Sequence, residues 1–158
     1  MAQRAHGAGN EGLGDVPASR DRWHQPRTWF IAAFVWFAVL FLFSSQSRLR
    51  PPGPDFNGVD KVHHTVYFTL GGMCIFMGLR LRKAGWTSFG VTVLTILACS
   101  AGGAFDEFHQ SFVPNRSGND PGDWMADTLG GLLGSLLGMR MHRRLEAKKA
   151  ACASRESL

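Results

Sequence analysis

Apolar residues fall into four long blocks along the chain, residues 28–43, 62–79, 87–105 and 124–139, and nearly every cluster of polar side chains lies at an end of one of them. Blocks of about 16 to 19 residues sit at the short end of what a membrane-crossing helix needs, roughly 17 to 25. Flanking residues or a locally thin bilayer make up the difference. One such block alone could equally be a buried helix of a soluble protein. Four in succession predict an all-α, four-transmembrane-helix bundle occupying residues 28–139.

In an up-and-down arrangement, the end of one span and the start of the next share a membrane face. That places Ser44-Ser45-Gln46, Asp60-Lys61 with His64, Asp106-Glu107 with Gln110, and Asp123 with Asp127 on the same side, which predicts a single polar site. The mean hydropathy of −0.05 conceals this pattern because it averages the spans with polar tails. Residues 1–27, rich in Gly and Ala and poor in periodic apolar positions, predict a disordered tail, and residues 140–158 a basic one. A chain of 158 residues has no room for a separate catalytic domain beside four spans. The first span reads as an uncleaved anchor, since Phe, Trp and Leu continue to its end without an A-x-A site.

Cytoplasmic flanks carry the excess of Lys and Arg. Of the 17 basic residues only Arg48, Arg50, Lys61 and Arg116 lie on the side of the polar clusters, so both termini are expected in the cytoplasm. Asp55, Asp60, Asp106, Glu107, Asp120, Asp123 and Asp127 lie on the outer side. The net charge of +5 therefore belongs to the cytoplasmic flanks, where it suits anionic lipid headgroups. Nothing resembles a nucleic-acid module: there is no aromatic-interleaved basic groove and no zinc-finger spacing.

At 1.5 Å per residue, Cys74 should lie about 18 Å and Cys99 about 9 Å below the outer ends of their spans, which argues against a disulfide. Gly130, Gly134 and Gly138 recur every fourth residue on the last span and predict close helix packing, within the bundle or between copies in a homo-oligomer.

The polar residues define the candidate chemistry. Asp106, Glu107 and Gln110 occupy neighbouring positions if the third helix continues past Phe105, and Asp60 with His64, like Asp123 with Asp127, repeats the four-residue interval. Ionisable groups at membrane depth are functional candidates because they are costly to bury without a purpose or a partner. Asp106 or Glu107 is a candidate catalytic base and His64 a candidate proton carrier. Lys61 and Arg116 are candidates to hold a phosphate or carboxylate. Ser45, Gln46, Asp60, Gln110, Asp123 and Asp127 complete the expected ligand-binding set, with no G-x-S-x-G elbow around Ser45 to make it a nucleophile. Asp55 and Asp120 read as solvated loop residues. The carboxylates with His64 and His109 would suit a divalent ion. No H-E-x-x-H string fixes one, and neither a metal ligand nor a cofactor is assigned.

Taken in order, Ser44-Ser45-Gln46, Asp60-Lys61-x-x-His64, Asp106-Glu107-x-x-Gln110, Val113-Pro114-x-Arg116-Ser117 and Asp123 followed by Asp127-Thr128-x-Gly130 resemble the VanZ-like membrane proteins over about residues 44 to 139. The resemblance implies a small multi-pass protein of the bacterial cytoplasmic membrane, in a family named for a member associated with low-level teicoplanin resistance. It brings no biochemical activity with it, so whether this chain is an enzyme stays open. Asp127 stands where the family pattern usually has Asn, and Tyr67 precedes the usual Tyr position, here Phe68. The functional expectation is a site that acts on or binds a cell-envelope or lipid-linked ligand; the alternative is a non-catalytic structural or ligand-shielding module. Membrane lipids are the remaining expected partners.

Overall fold

A computed structural model describes residues 22–47, 58–116 and 118–156. Four helices follow a short 3-10 turn at Arg22–His24: α1 (Pro26–Ser44), α2 (Val59–Arg82), α3 (Ser88–Gln110) and α4 (Pro121–Glu156), with no strand among the described residues. Asp55, Arg48, Arg50, Ser117 and most of the expected amino-terminal tail lie outside the described residues. Within the expected tail, residues 22–24 form the 3-10 turn and residues 26–27 begin α1.

Helices α1, α2 and α3 are each long and apolar enough to cross a membrane. Their large exposed side chains, among them Phe34, Leu42, Leu70, Phe89 and Leu97, are the face such helices turn to lipid, while backbone hydrogen bonds remain inside each helix. Every element exceeds its expected apolar block because helix formation does not stop where hydropathy does. Polar residues at the ends, including Asp60, His64 and Asp106-Glu107, are helical too.

Helix α4 differs most from expectation. Its 36 residues extend about 54 Å, well past Met139 into the expected basic tail. Met139, Met141 and Leu145 pack on the core of Trp29, Phe76, Met77 and Val91, which gives the extension an apolar anchor. Burial and the nearby Arg80 guanidinium hold the His142 imidazole below its usual range.

The centre of the bundle is the α2–α4 contact, the most extensive pairing in the fold. A Cβ on Gly134 would approach the Thr69 carbonyl at 2.5 Å and the Met73 amide nitrogen at 2.6 Å, and one on Gly138 would meet Phe76 at 2.7 Å. The glycine face is thus filled by α2 of the same chain. That is the within-bundle alternative. Cys74 and Cys99 are free thiols; Cys99 packs beside Gly72 and Gly131.

Helix α1 joins through a reciprocal pair of bonds. The Trp36 indole N–H donates to the Tyr67 carbonyl and the Tyr67 hydroxyl donates to the Trp36 carbonyl, each at 3.0 Å. The two rings stack at 5.5 Å, and Phe68, fully buried, meets Trp36 edge-on. Tyr67 and Phe68 therefore divide two tasks, one bonding α1 and the other filling the core.

Candidate functional site

Helix ends create the site. The continuation of α3 past Phe105 puts Asp106, Glu107 and Gln110 on its inward face, all buried. Asn115 and Asn119 adopt left-handed backbone conformations, which Asn tolerates better than most residues. Gly118 lies so close to the end of α3 that a Cβ there would meet the Ser111 backbone and the Glu107 carbonyl. The loop therefore folds back across α3 before α4 begins. At that start, Asp120 caps the helix, accepting from the Gly122 N–H at 2.7 Å, and Pro121 fits the first turn.

Two networks result. In the first, Lys61 on α2 contacts Asp60 at 3.3 Å, Asp120 at 3.0 Å and Asp123 at 3.0 Å. An ammonium has three N–H donors, and all three have carboxylate acceptors. The Lys61 charge, expected to hold an anionic ligand, here ties α2 to the start of α4. Asp120 likewise is not a solvated bystander. Its backbone N–H donates to Glu107 Oε2 at 2.7 Å, and the Lys61 ammonium holds its carboxyl below the usual carboxylate range. The Asp-Pro-Gly-Asp string carried that information, since a capping Asp before Pro at a helix start is fixed in position rather than free.

The second network is deeper. His64 Nδ1 bonds Asp127 Oδ1 at 2.9 Å, with Asp127 fully buried, and His64 Nε2 lies 3.9 Å from Asp123. Arg116 donates to Gln110 Oε1 at 2.9 Å, and Gln110 Nε2 donates to Asp106 Oδ2 at 2.7 Å, so the amide links guanidinium to carboxylate. Ligand atoms of His64, Asp106 and Glu107 lie within 4.8 Å of one another. Helices α2, α3 and α4 thus bring His64, Asp106, Glu107, Gln110, Asp123 and Asp127 together at one end of the bundle.

The remaining expected residues stand apart. Asp60 is exposed, with Lys61 as its bonded neighbour. Ser45 Oγ donates to the Phe41 carbonyl at 2.6 Å and lies 3.0 Å from His109 Nε2. A serine has one O–H, so with that proton on the carbonyl the His109 N–H is the donor, the reverse of a base drawing a proton from a nucleophile. His109 stacks on Phe41 at 4.4 Å and so belongs to the α1–α3 contact. Gln46 is exposed, its backbone N–H bonded to Phe43. Ser44, in contrast, is buried with its hydroxyl unpartnered among the described residues.

Three membrane-length apolar helices and a buried carboxylate–imidazole cluster at one end define a membrane protein with an interior polar site. The chain belongs to the VanZ/LLP1 family, whose model matches residues 29–142. No curated protein and no solved structure matches it.

Proposed function

We propose that this chain is a four-span protein of the bacterial cytoplasmic membrane, with both termini in the cytoplasm, and that its polar cluster binds or acts on a cell-envelope or lipid-linked ligand at the outer leaflet. Leu129, Leu132, Leu133, Leu136 and Leu137 support α4 as the fourth span: they form an exposed apolar face opposite its buried glycines. Arg27 and Arg82 line a groove at the opposite end of the bundle from the carboxylates, in keeping with a cytoplasmic, basic end.

The observation that carries the reading is the burial of Asp106, Glu107 and Asp127 around His64. Isolated carboxylates are expensive to desolvate, so three of them beside one imidazole favour a functional site over incidental placement. Asp127 fixes the ring of His64 through Nδ1 and leaves Nε2 to exchange a proton with a bound group. Glu107, whose Oε2 is held by the Asp120 N–H, keeps Oε1 available as a base.

Mass spectrometry of lipids and envelope precursors copurifying with the wild type and with Glu107→Gln tests this directly. A species enriched on the wild type and lost from a folded variant is expected; identical lipid profiles would remove the reading. A role in glycopeptide resistance predicts a higher inhibitory concentration of teicoplanin when the wild type, but not Glu107→Gln, is expressed in a susceptible host.

The Lys61 clamp favours a structural contribution alongside binding. Lys61→Gln is expected to lower the melting temperature in detergent while the copurifying species persists. Loss of that species from a folded Lys61→Gln protein would instead place the clamp in ligand binding.

A further inference from the structure

The three donors clustered within 4.8 Å share a feature that hydrogen bonding does not satisfy. Each has one atom occupied and one left over. His64 uses Nδ1 on Asp127 and leaves Nε2; Asp106 uses Oδ2 on Gln110 and leaves Oδ1; Glu107 uses Oε2 on the Asp120 N–H and leaves Oε1. Glu107 is only 4% exposed, and its Oε1 is buried without a hydrogen-bond partner among the described residues. A buried carboxylate oxygen in that state calls for a proton, a water or a cation.

Among the described residues no Lys or Arg side chain bonds this triad. Lys61 is occupied by Asp60, Asp120 and Asp123, and Arg116 donates to the neutral Gln110 amide. The neighbouring acidic triad makes the contrast: Asp60, Asp120 and Asp123 also bring carboxylate oxygens together, and the Lys61 ammonium bonds all three. The triad of His64, Asp106 and Glu107 has the same convergence without the ammonium.

We infer that His64, Asp106 and Glu107 form a binding site for a divalent first-row cation of the Zn2+ or Mn2+ type, with Asp127 as the carboxylate that orients the imidazole. One imidazole nitrogen and two carboxylate oxygens make a borderline-to-hard donor set suited to such ions. A metal-binding histidine commonly donates its other ring N–H to a carboxylate, and Asp127 occupies that position. The other two ligands are also held from behind, Asp106 by Gln110 and Glu107 by the Asp120 backbone. Three protein ligands leave a coordination position for an outside oxygen. The inference rests on the proposed ligand site, and it gives an acid-rich cluster a way to hold a phosphate or carboxylate, through the ion.

The test uses the full chain purified in detergent without chelator and titrated with MnCl2, free Mn2+ being followed by electron paramagnetic resonance and ZnCl2 added as competitor. One equivalent of Mn2+ should be bound and displaced by Zn2+. Glu107→Gln and Asp106→Asn should each abolish binding, and Asp127→Asn should weaken it about 10- to 100-fold. Asp60→Asn should leave it unchanged. Helical circular dichroism and a monodisperse elution profile establish that each variant is folded, and either ligand variant suffices if the other does not accumulate. An unbound Mn2+ signal with folded wild type, or equal affinity in a folded Glu107→Gln or Asp106→Asn protein, would overturn the inference. Copurification of an envelope species without metal would sink the ion alone; metal binding with no such species would sink the proposed function alone.

Discussion

At the scale of single residues, Asp120 shows how a side chain's role depends on what folds over it. In the sequence it is one acid in a polar loop; in the fold it caps α4, pairs with Lys61 and offers its N–H to Glu107. Its carboxyl is held below the ordinary range chiefly by the Lys61 hydrogen bond. A depressed carboxylate contributes stability that is present above the unfolded-state value, near 3.9, and lost as pH falls through the lowered folded-state value. Asp120→Asn should therefore lower the melting temperature at pH 7, and the difference from wild type should shrink as pH falls below the unfolded-state value. A difference independent of pH would show that capping, not charge, is what Asp120 contributes. Asp127 poses the complementary question. Asn at that position still presents an oxygen to His64, so geometry survives while charge is removed.

At the scale of elements, the α2–α4 seam depends on missing side chains. The Cβ of an alanine at Gly134 already meets the backbone of α2, and Gly134→Leu places a whole side chain there. Overpacking of this kind costs about 1 to 3 kcal/mol or more, read as a lower melting temperature and weaker accumulation in the membrane. Gly85, with nothing near its Cβ position, is the control: Gly85→Ala should change neither. Between α1 and α2, Trp36→Phe removes the indole donor to Tyr67 and should cost about 0.5 to 1.5 kcal/mol. The existence and order of these helices were legible from hydropathy because lipid-facing and core positions are both apolar. Their ends were not, since α2, α3 and α4 extend into polar sequence where capping and tertiary contacts decide.

At the scale of the whole molecule, the distribution of charge makes the membrane topology testable with a native probe. Cys152 is exposed near the end of α4. In intact cells an impermeant maleimide should leave Cys152 unlabelled and react with Gln46→Cys, and permeabilisation should expose Cys152. The opposite pattern would invert the proposed orientation and turn the polar cluster toward the cytoplasm.

The chain by itself determined three apolar helices of membrane length, a fourth helix patterned with small residues, and a set of acids and one imidazole gathered near helix ends. Those follow from local rules: periodic apolar runs form helices, and small residues at intervals of four form a face. Only the tertiary structure decided which groups neutralise which. Sequence spacing made Lys61 and Arg116 equivalent cations for a ligand, whereas folding gave Lys61 three carboxylates and Arg116 an amide. It also separated Ser45 and His109 from the buried cluster and brought Asp120 to Glu107. The physical reason is that electrostatic pairing and desolvation act through space over a few ångströms, and those distances are set by how α2, α3 and α4 cross, which no single segment encodes.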